Sequence, residues 1–163
     1  MNNSATAVPV TTVITPEELL KHWQGHRGLT RRVIDAFPED ALFNYSIGGM
    51  RPFAEMVMEL LAIAEPGLDE MANGTKREYD HSLSYQSKAA LLERWDDTTA
   101  GINALFPKLK AEQFHDHIKS FGLFEGSIIG NLLYFIDNEI HHRGQAYVYL
   151  RSLSIEPPAF WEH

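Results

Sequence analysis

Two polar residues one helical turn apart, Asn138 and His142, stand in the most apolar long stretch of the chain. From Ser127 to Leu150 the formal charges are Asp137, Glu139 and Arg143, with no Lys and no Pro. At about 100° per residue, Asn131, Asn138, His142, Gln145 and Tyr149 share one narrow stripe. Leu132, Ile136, Ile140 and Tyr147 fall on the other side. A helix this apolar is buried on most faces, and buried polar groups need partners. The stripe is therefore where chemistry is expected. An imidazole there can ligate a metal or carry a proton; the plainer alternative is a hydrogen-bonded core histidine.

Other residues nearby offer competing geometries. Glu139 and His142 have the Glu-x-x-His spacing of carboxylate-bridged metal sites in helical bundles. The preferred alternative pairs Glu139 with Arg143 at i, i+4 on the surface. Asn138 is a weak primary ligand, since an amide oxygen suits hard cations; orienting a ligand or a water is the better role for it. His141 points about 100° away from His142 and is read as a surface or interface residue. His115-Asp116-His117 has ligand chemistry but no third partner in sequence, so a solvated loop is expected. No Gly-rich phosphate loop or nucleophile elbow occurs.

The elements that must position these groups are helices. Thr15 can cap a first helix, with Pro16 at its first position and Glu18 completing a capping box. Leu19, Trp23, Leu29, Val33 and Phe37 mark its apolar face. Gly25 and Gly28 weaken its middle, inviting a kink or a close contact, and Pro38-Glu39-Asp40 ends it. Residues 41–49 read as a loop. A second helix is expected from Arg51 to Ala64, stopped by Pro66-Gly67. The link through Asn73-Gly74 and Tyr79 is assigned no structure. A third helix begins near Ser84 or Ser87 and carries Leu91, Trp95, Thr99, Ile102 and Phe106 at helical spacing, with Pro107 as its stop. The apolar stretch is the fourth. Beyond Ile155 the prolines forbid helix, and Phe160 and Trp161 are expected to pack back on the body.

No β-alternation competes, so the expectation is all-α, a four-helix bundle in which sites are built from facing helices. Residues 1–14 read as a tail or arm, and 15–163 as one domain. The absence of cysteine excludes a disulfide framework and a thiol nucleophile and fits a reducing compartment. A formal charge of −8 without a basic run disfavours nucleic acid. No apolar run reaches membrane-spanning length, and a cytoplasmic protein is expected.

His141-His142-Arg143-Gly144-Gln145, deep in the last helix of four, resembles the DinB/YfiT-like family over about residues 16–155. The resemblance implies a four-helix bundle of variant up-and-down topology, often dimeric. It also implies a divalent metal, nickel or zinc, on three histidines. One comes from helix two and two from helix four, four residues apart, the second lying just before Arg-Gly-Gln. Here His142 matches that last ligand, Asn138 replaces the earlier one, and Glu59 falls at the helix-two position. The implied set is Glu59, Asn138 and His142. Glu59 shares a flank with Arg51 and Glu55, which also suits a solvated face, but it neighbours Met56 and Ile63 at the apolar boundary. Some family members resemble thiol-dependent S-transferases or hydrolases. The reading that follows is a metal-dependent protein acting on a small molecule or thiol. The rival is a metal-free dimeric binding or stress-response protein. A homodimer is expected in either case, because the weakly charged fourth helix has too much apolar surface for one exposed side. Arg143 is expected to reach a carboxylate elsewhere, and Gly144 to allow a close helix crossing.

Overall fold

A computed structural model describes residues 13–163; the expected N-terminal tail, apart from Val13 and Ile14, lies outside the described residues. The element order is α1 (Pro16–Ala36), α2 (Glu39–Asn44), α3 (Phe53–Asn73), α4 (Lys88–Leu105), β1 (His117–Ser120), β2 (Phe124–Ser127) and α5 (Ile128–Ser152). Short 3-10 turns lie between α4 and β1. Helix α1 packs against α4 and α5, and α3 packs against the same two. The four long helices therefore form a bundle with α1 and α3 on one diagonal.

The helix starts follow their caps. Thr15 Oγ1 accepts from the Glu18 amide while Glu18 accepts from the Thr15 amide. Ser87 caps α4 and Ser127 caps α5 through the amides of Ala90 and Gly130. Each such cap is worth about 1 kcal/mol. Helix α1 runs unbroken through Gly25 and Gly28.

Four expectations are corrected. Helix α3 does not stop at Pro66-Gly67 but carries Pro66 in its interior and ends at Gly74, φ 68°. An interior proline costs roughly 3 kcal/mol; continuing the helix buries Leu68 and Met71, each worth about 1.5–3 kcal/mol. Gly67 is kept bare by the Phe135 ring, which would lie 2.5 Å from an added Cβ. Residues 39–44 form a short helix that runs into the loop expected at 41–49. Residues 117–127 form an antiparallel hairpin, pairing His117 with Ser127 and Ser120 with Phe124. Its tip places Phe121 and Gly122 at positive φ, 55° and 66°. Phe121 is nevertheless buried, and its amide donates to Glu70 at 2.8 Å. Four-residue strands with one polar face give too short an alternation to read. Finally, Phe160 and Trp161 are exposed, 66% and 68%; the tail meets the body through Glu162 and His163 instead.

Two apolar clusters fill the bundle. One gathers Trp23, Leu68, Ile102, Phe106, Leu132 and Phe135. The other gathers Ile34, Phe53, Leu60, Trp95, Tyr149 and Leu150. Between them, at the level of residues 26–30 of α1 and 138–143 of α5, lies a polar layer. That layer holds the candidate site.

Candidate functional site

Residues 138, 139, 142 and 143 of α5 are consecutive pairs one turn apart, so they serve two neighbours. Glu139 and Arg143 face α1, and Asn138 and His142 face α3.

Toward α3, Glu59 Oε1 lies 3.1 Å from His142 Nε2 and accepts from Asn138 Nδ2 at 3.0 Å. Its other oxygen accepts from Arg51 at 2.5 Å. These bonds, that to His142 foremost, hold the Glu59 carboxyl down to about 2, against burial, which raises it. On the far side of the His142 ring, Nδ1 lies 3.2 Å from Gln145 Oε1, and Gln145 Nε2 lies 3.2 Å from His141 Nε2. His142 is buried and His141 exposed, as their angular offset requires. The three residues implied by the motif are thus brought together, with Gln145 behind them. The rest of the stripe serves structure: Asn131 donates to the Ser127 carbonyl, and Tyr149 donates to the Arg51 carbonyl at 3.0 Å, anchoring the entry to α3.

Toward α1, the expected surface pair of Glu139 and Arg143 is buried instead, Glu139 to 2% exposure. Thr30 donates to Glu139 at 2.6 Å. Arg27 and Arg143 approach its carboxylate to 3.9 and 3.8 Å. Arg143 donates to the His26 carbonyl, to Thr30 and to His26 Nδ1, so its main partners lie on the α1 backbone and side chains. Arg27 lies over the Trp95 ring, 3.4 Å from its centre, and burial lowers it to about 10, still protonated at neutral pH. Burial pushes Glu139 up, opposed by Arg27 and Thr30. Sequence reasoning missed this because Glu139 and Arg143 fit an exposed i, i+4 pair equally well. Gly144 faces open space and makes no close crossing.

The α3 side of the layer opens on two pockets that share Glu59, Tyr79 and His81. One, about 380 Å³, is walled by Ile63, Phe121, Leu123, Phe124, Tyr134 and Phe135. The other, about 410 Å³, is lined by Arg51, Glu55, Asp80 and Ser84 among others. Tyr79 and His81 come from the link between α3 and α4, which shows no periodicity. Burial and the nearby Glu59 raise the Tyr79 hydroxyl above its usual range. The hairpin supplies the apolar wall. His115, Asp116 and His117 are exposed and away from this site, as expected.

A separate cluster, His22, His26 and His163, brings one ring nitrogen of each within 4.8 Å of the others, close enough to hold a metal ion. Burial and Arg143 hold His26 down to about 3.

The family model for the DinB family matches residues 1–162. The chain belongs to the DinB family. Its fold is similar to that of a DinB-like protein from Bacillus cereus, with a TM-score of 0.71 and 16% identity, covering 88% of this chain and 95% of that one. A DinB-like protein from Bacillus subtilis matches with a TM-score of 0.68 and 18% identity, covering 89% and 98%. Among curated proteins no match is found.

Proposed function

We propose that Glu59, Asn138 and His142 hold a divalent metal, zinc or nickel, at the head of the apolar pocket, and that the pocket takes a small molecule or thiol. One observation carries this reading. With Gln145 Oε1 facing Nδ1, the tautomer that carries its proton on Nδ1 presents Nε2 as a ligating nitrogen 3.1 Å from a carboxylate oxygen. In that tautomer the two facing acceptors are bridged by the metal; in the metal-free protein a proton on Nε2 takes its place. The separation matches that of neighbouring ligands around an ion roughly 2.0–2.2 Å from each. Turning the Asn138 amide would present its oxygen to the same point, and amide orientation is assigned by its surroundings. Gln145 fixes the His142 ring as outer partners of ligating histidines do.

Such an ion supplies Lewis acidity and lowers the pKa of a bound water or thiol. The chain's own residues do the rest. Arg51 keeps Glu59 ionised and oriented. Tyr79, at the mouth of both pockets, can donate its hydroxyl proton to a bound ligand. Phe121, Phe124, Tyr134 and Phe135 exclude water and favour a ligand with an apolar body. A transferase or hydrolase reaction is the family-level expectation for this arrangement.

A second reading rests on the Arg51–Glu59 bond. With a proton in place of the metal, His142 donates to Glu59 beside Arg51, and the layer is complete as a metal-free binding site. In either reading we place the protein as a cytoplasmic homodimer joined through α5, where Leu133, Tyr134, Ile140 and Val148 are exposed.

Elemental analysis of tag-free protein tests the metal. The expected result is bound zinc or nickel, one equivalent of which is lost in His142→Ala and kept in His141→Ala. Metal-free protein that stays so on dialysis against zinc and nickel would favour the second reading. Equal losses in the two variants would remove His142 from the ligand set.

A further inference from the structure

The cluster on α1 shares no residue with Glu59, Asn138 and His142; through His26 it borders the buried Glu139–Arg143 pair. His22 and His26 are one turn apart, so their side chains stand on one face, with their Nε2 atoms 3.2 Å apart. The chain beyond α5 returns to this face. Arg32 donates to the Glu162 carbonyl, and the His163 ring stacks on His26 at 4.3 Å. Gly25 permits the approach: an added Cβ would meet the His163 carbonyl carbon at 2.7 Å. Three imidazoles from two distant segments thus converge on one spot, with His22 and His163 open to solvent.

We propose that His22, His26 and His163 form a second metal site, for a late first-row divalent ion such as zinc, and that the ion pins the C-terminal segment to α1. The donor chemistry selects the ion: three neutral nitrogens with no carboxylate suit zinc, nickel or copper and not magnesium or calcium. The spacing fits. Nitrogens bound at 2.0–2.1 Å around a tetrahedral ion sit roughly 3.3 Å apart, close to the His22–His26 separation. His163 is already set for ligation, because Nδ1 faces the Phe160 carbonyl at 3.1 Å and its N–H donates there. That leaves the Nε2 lone pair free. Its exposed ring has only to turn out of the stack to complete the set.

Ion and proton exchange at His26. Arg143 can only donate, so His26 Nδ1 accepts from it and the ring proton sits on Nε2, shared with His22. Metal on Nε2 replaces that proton, which moves to Nδ1. Arg143 Nη2 then gives up its bond to the ring, while Nη1 keeps the His26 carbonyl and Thr30. No net charge is lost from the protein, and the fourth position on the ion stays open to water or an external ligand.

The test is zinc titration by calorimetry on the tag-free full chain stripped with chelator, paired with amide exchange over residues 159–163. Losing an outer-shell partner already weakens metal sites by 10–100-fold, so loss of a ligand is expected to weaken zinc here by at least about tenfold. That loss is expected in His22→Ala and in His163→Ala, both exposed positions where folding is retained, whereas His142→Ala removes only the separate binding event between α3 and α5. Zinc is expected to slow exchange at 159–163 in the parent and in His142→Ala but not in His22→Ala. Zinc affinity unchanged in both His22→Ala and His163→Ala overturns the proposal, as does exchange at the tail that ignores zinc. Zinc binding lost only in His142→Ala supports the site between α3 and α5 and overturns this one. Binding lost only in the α1 and tail variants does the reverse.

Discussion

Replacing Glu59 by Gln keeps the shape of the side chain and removes its charge. In metal-free protein, with a proton on His142 Nε2, three donors then face a neutral amide: Arg51, Asn138 and His142. The carboxyl lies at about 2 in the folded protein against 4.5 ordinarily. At about 1.36 kcal/mol per decade that depression corresponds to at most about 3.4 kcal/mol. Glu59 is 22% exposed and its partner Arg51 47%, so solvent screens part of it. A loss of about 1.5–2 kcal/mol at pH 7 is expected, or roughly 3–8 °C in Tm for a chain of this size. The sign follows from the depressed value. The stabilisation is fully present above about 4.5, where the unfolded carboxyl is ionised too, and is lost as pH falls through the interval toward 2. Urea unfolding of both proteins in chelator, from pH 7 to pH 3, should show the gap narrowing below about 4.5. A gap that stays constant with pH, or widens on acidification, would refute the idea that His142, Asn138 and Arg51 hold an ionised carboxylate.

Glu139→Gln leaves Arg27 and Arg143 buried without a counter-charge, and is expected to cost about 3 kcal/mol by denaturant unfolding at pH 7. A loss below about 1 kcal/mol would show instead that burial keeps Glu139 protonated. Gly67→Ala drives a methyl into the buried Phe135 ring and should destabilise by about 1–3 kcal/mol despite the better helix propensity of alanine; a stabilised variant would show that α3 and α5 are not so close there. Light scattering at micromolar concentration should give twice the chain mass, falling toward one chain in a Tyr134→Lys, Val148→Asp double variant. A parent that is monomeric at all concentrations would leave the α5 surface without its proposed partner.

Local physical rules carried much of this protein in the sequence. The cap at Thr15, the start near Ser87, the stop at Phe106-Pro107 and the stripe on α4 are short-range consequences of side-chain type, and each holds in the fold. The same rules failed at Pro66, because whether a helix can run through a proline depends on what the following turns bury. They also failed at the hairpin, whose strands are held by Phe121 and Glu70, residues far apart in sequence. The stripe on α5 pointed to a polar site and put His142 inward and His141 outward. What it could not contain was which neighbour each polar residue meets. Periodicity gives an angle around one helix axis; it carries no information about the helix opposite. Glu139 read as half of a surface pair and became the centre of a buried one, because α1 supplied Arg27 and Thr30. Glu59 gained its place from α5 lying across α3, and Tyr79 and His81 from a link with no period at all. The sequence by itself determined the helices and the polar face of the last one. Only the packing of those helices decided which charges are buried together, since burial and pairing are properties of the assembled interior and not of any single segment.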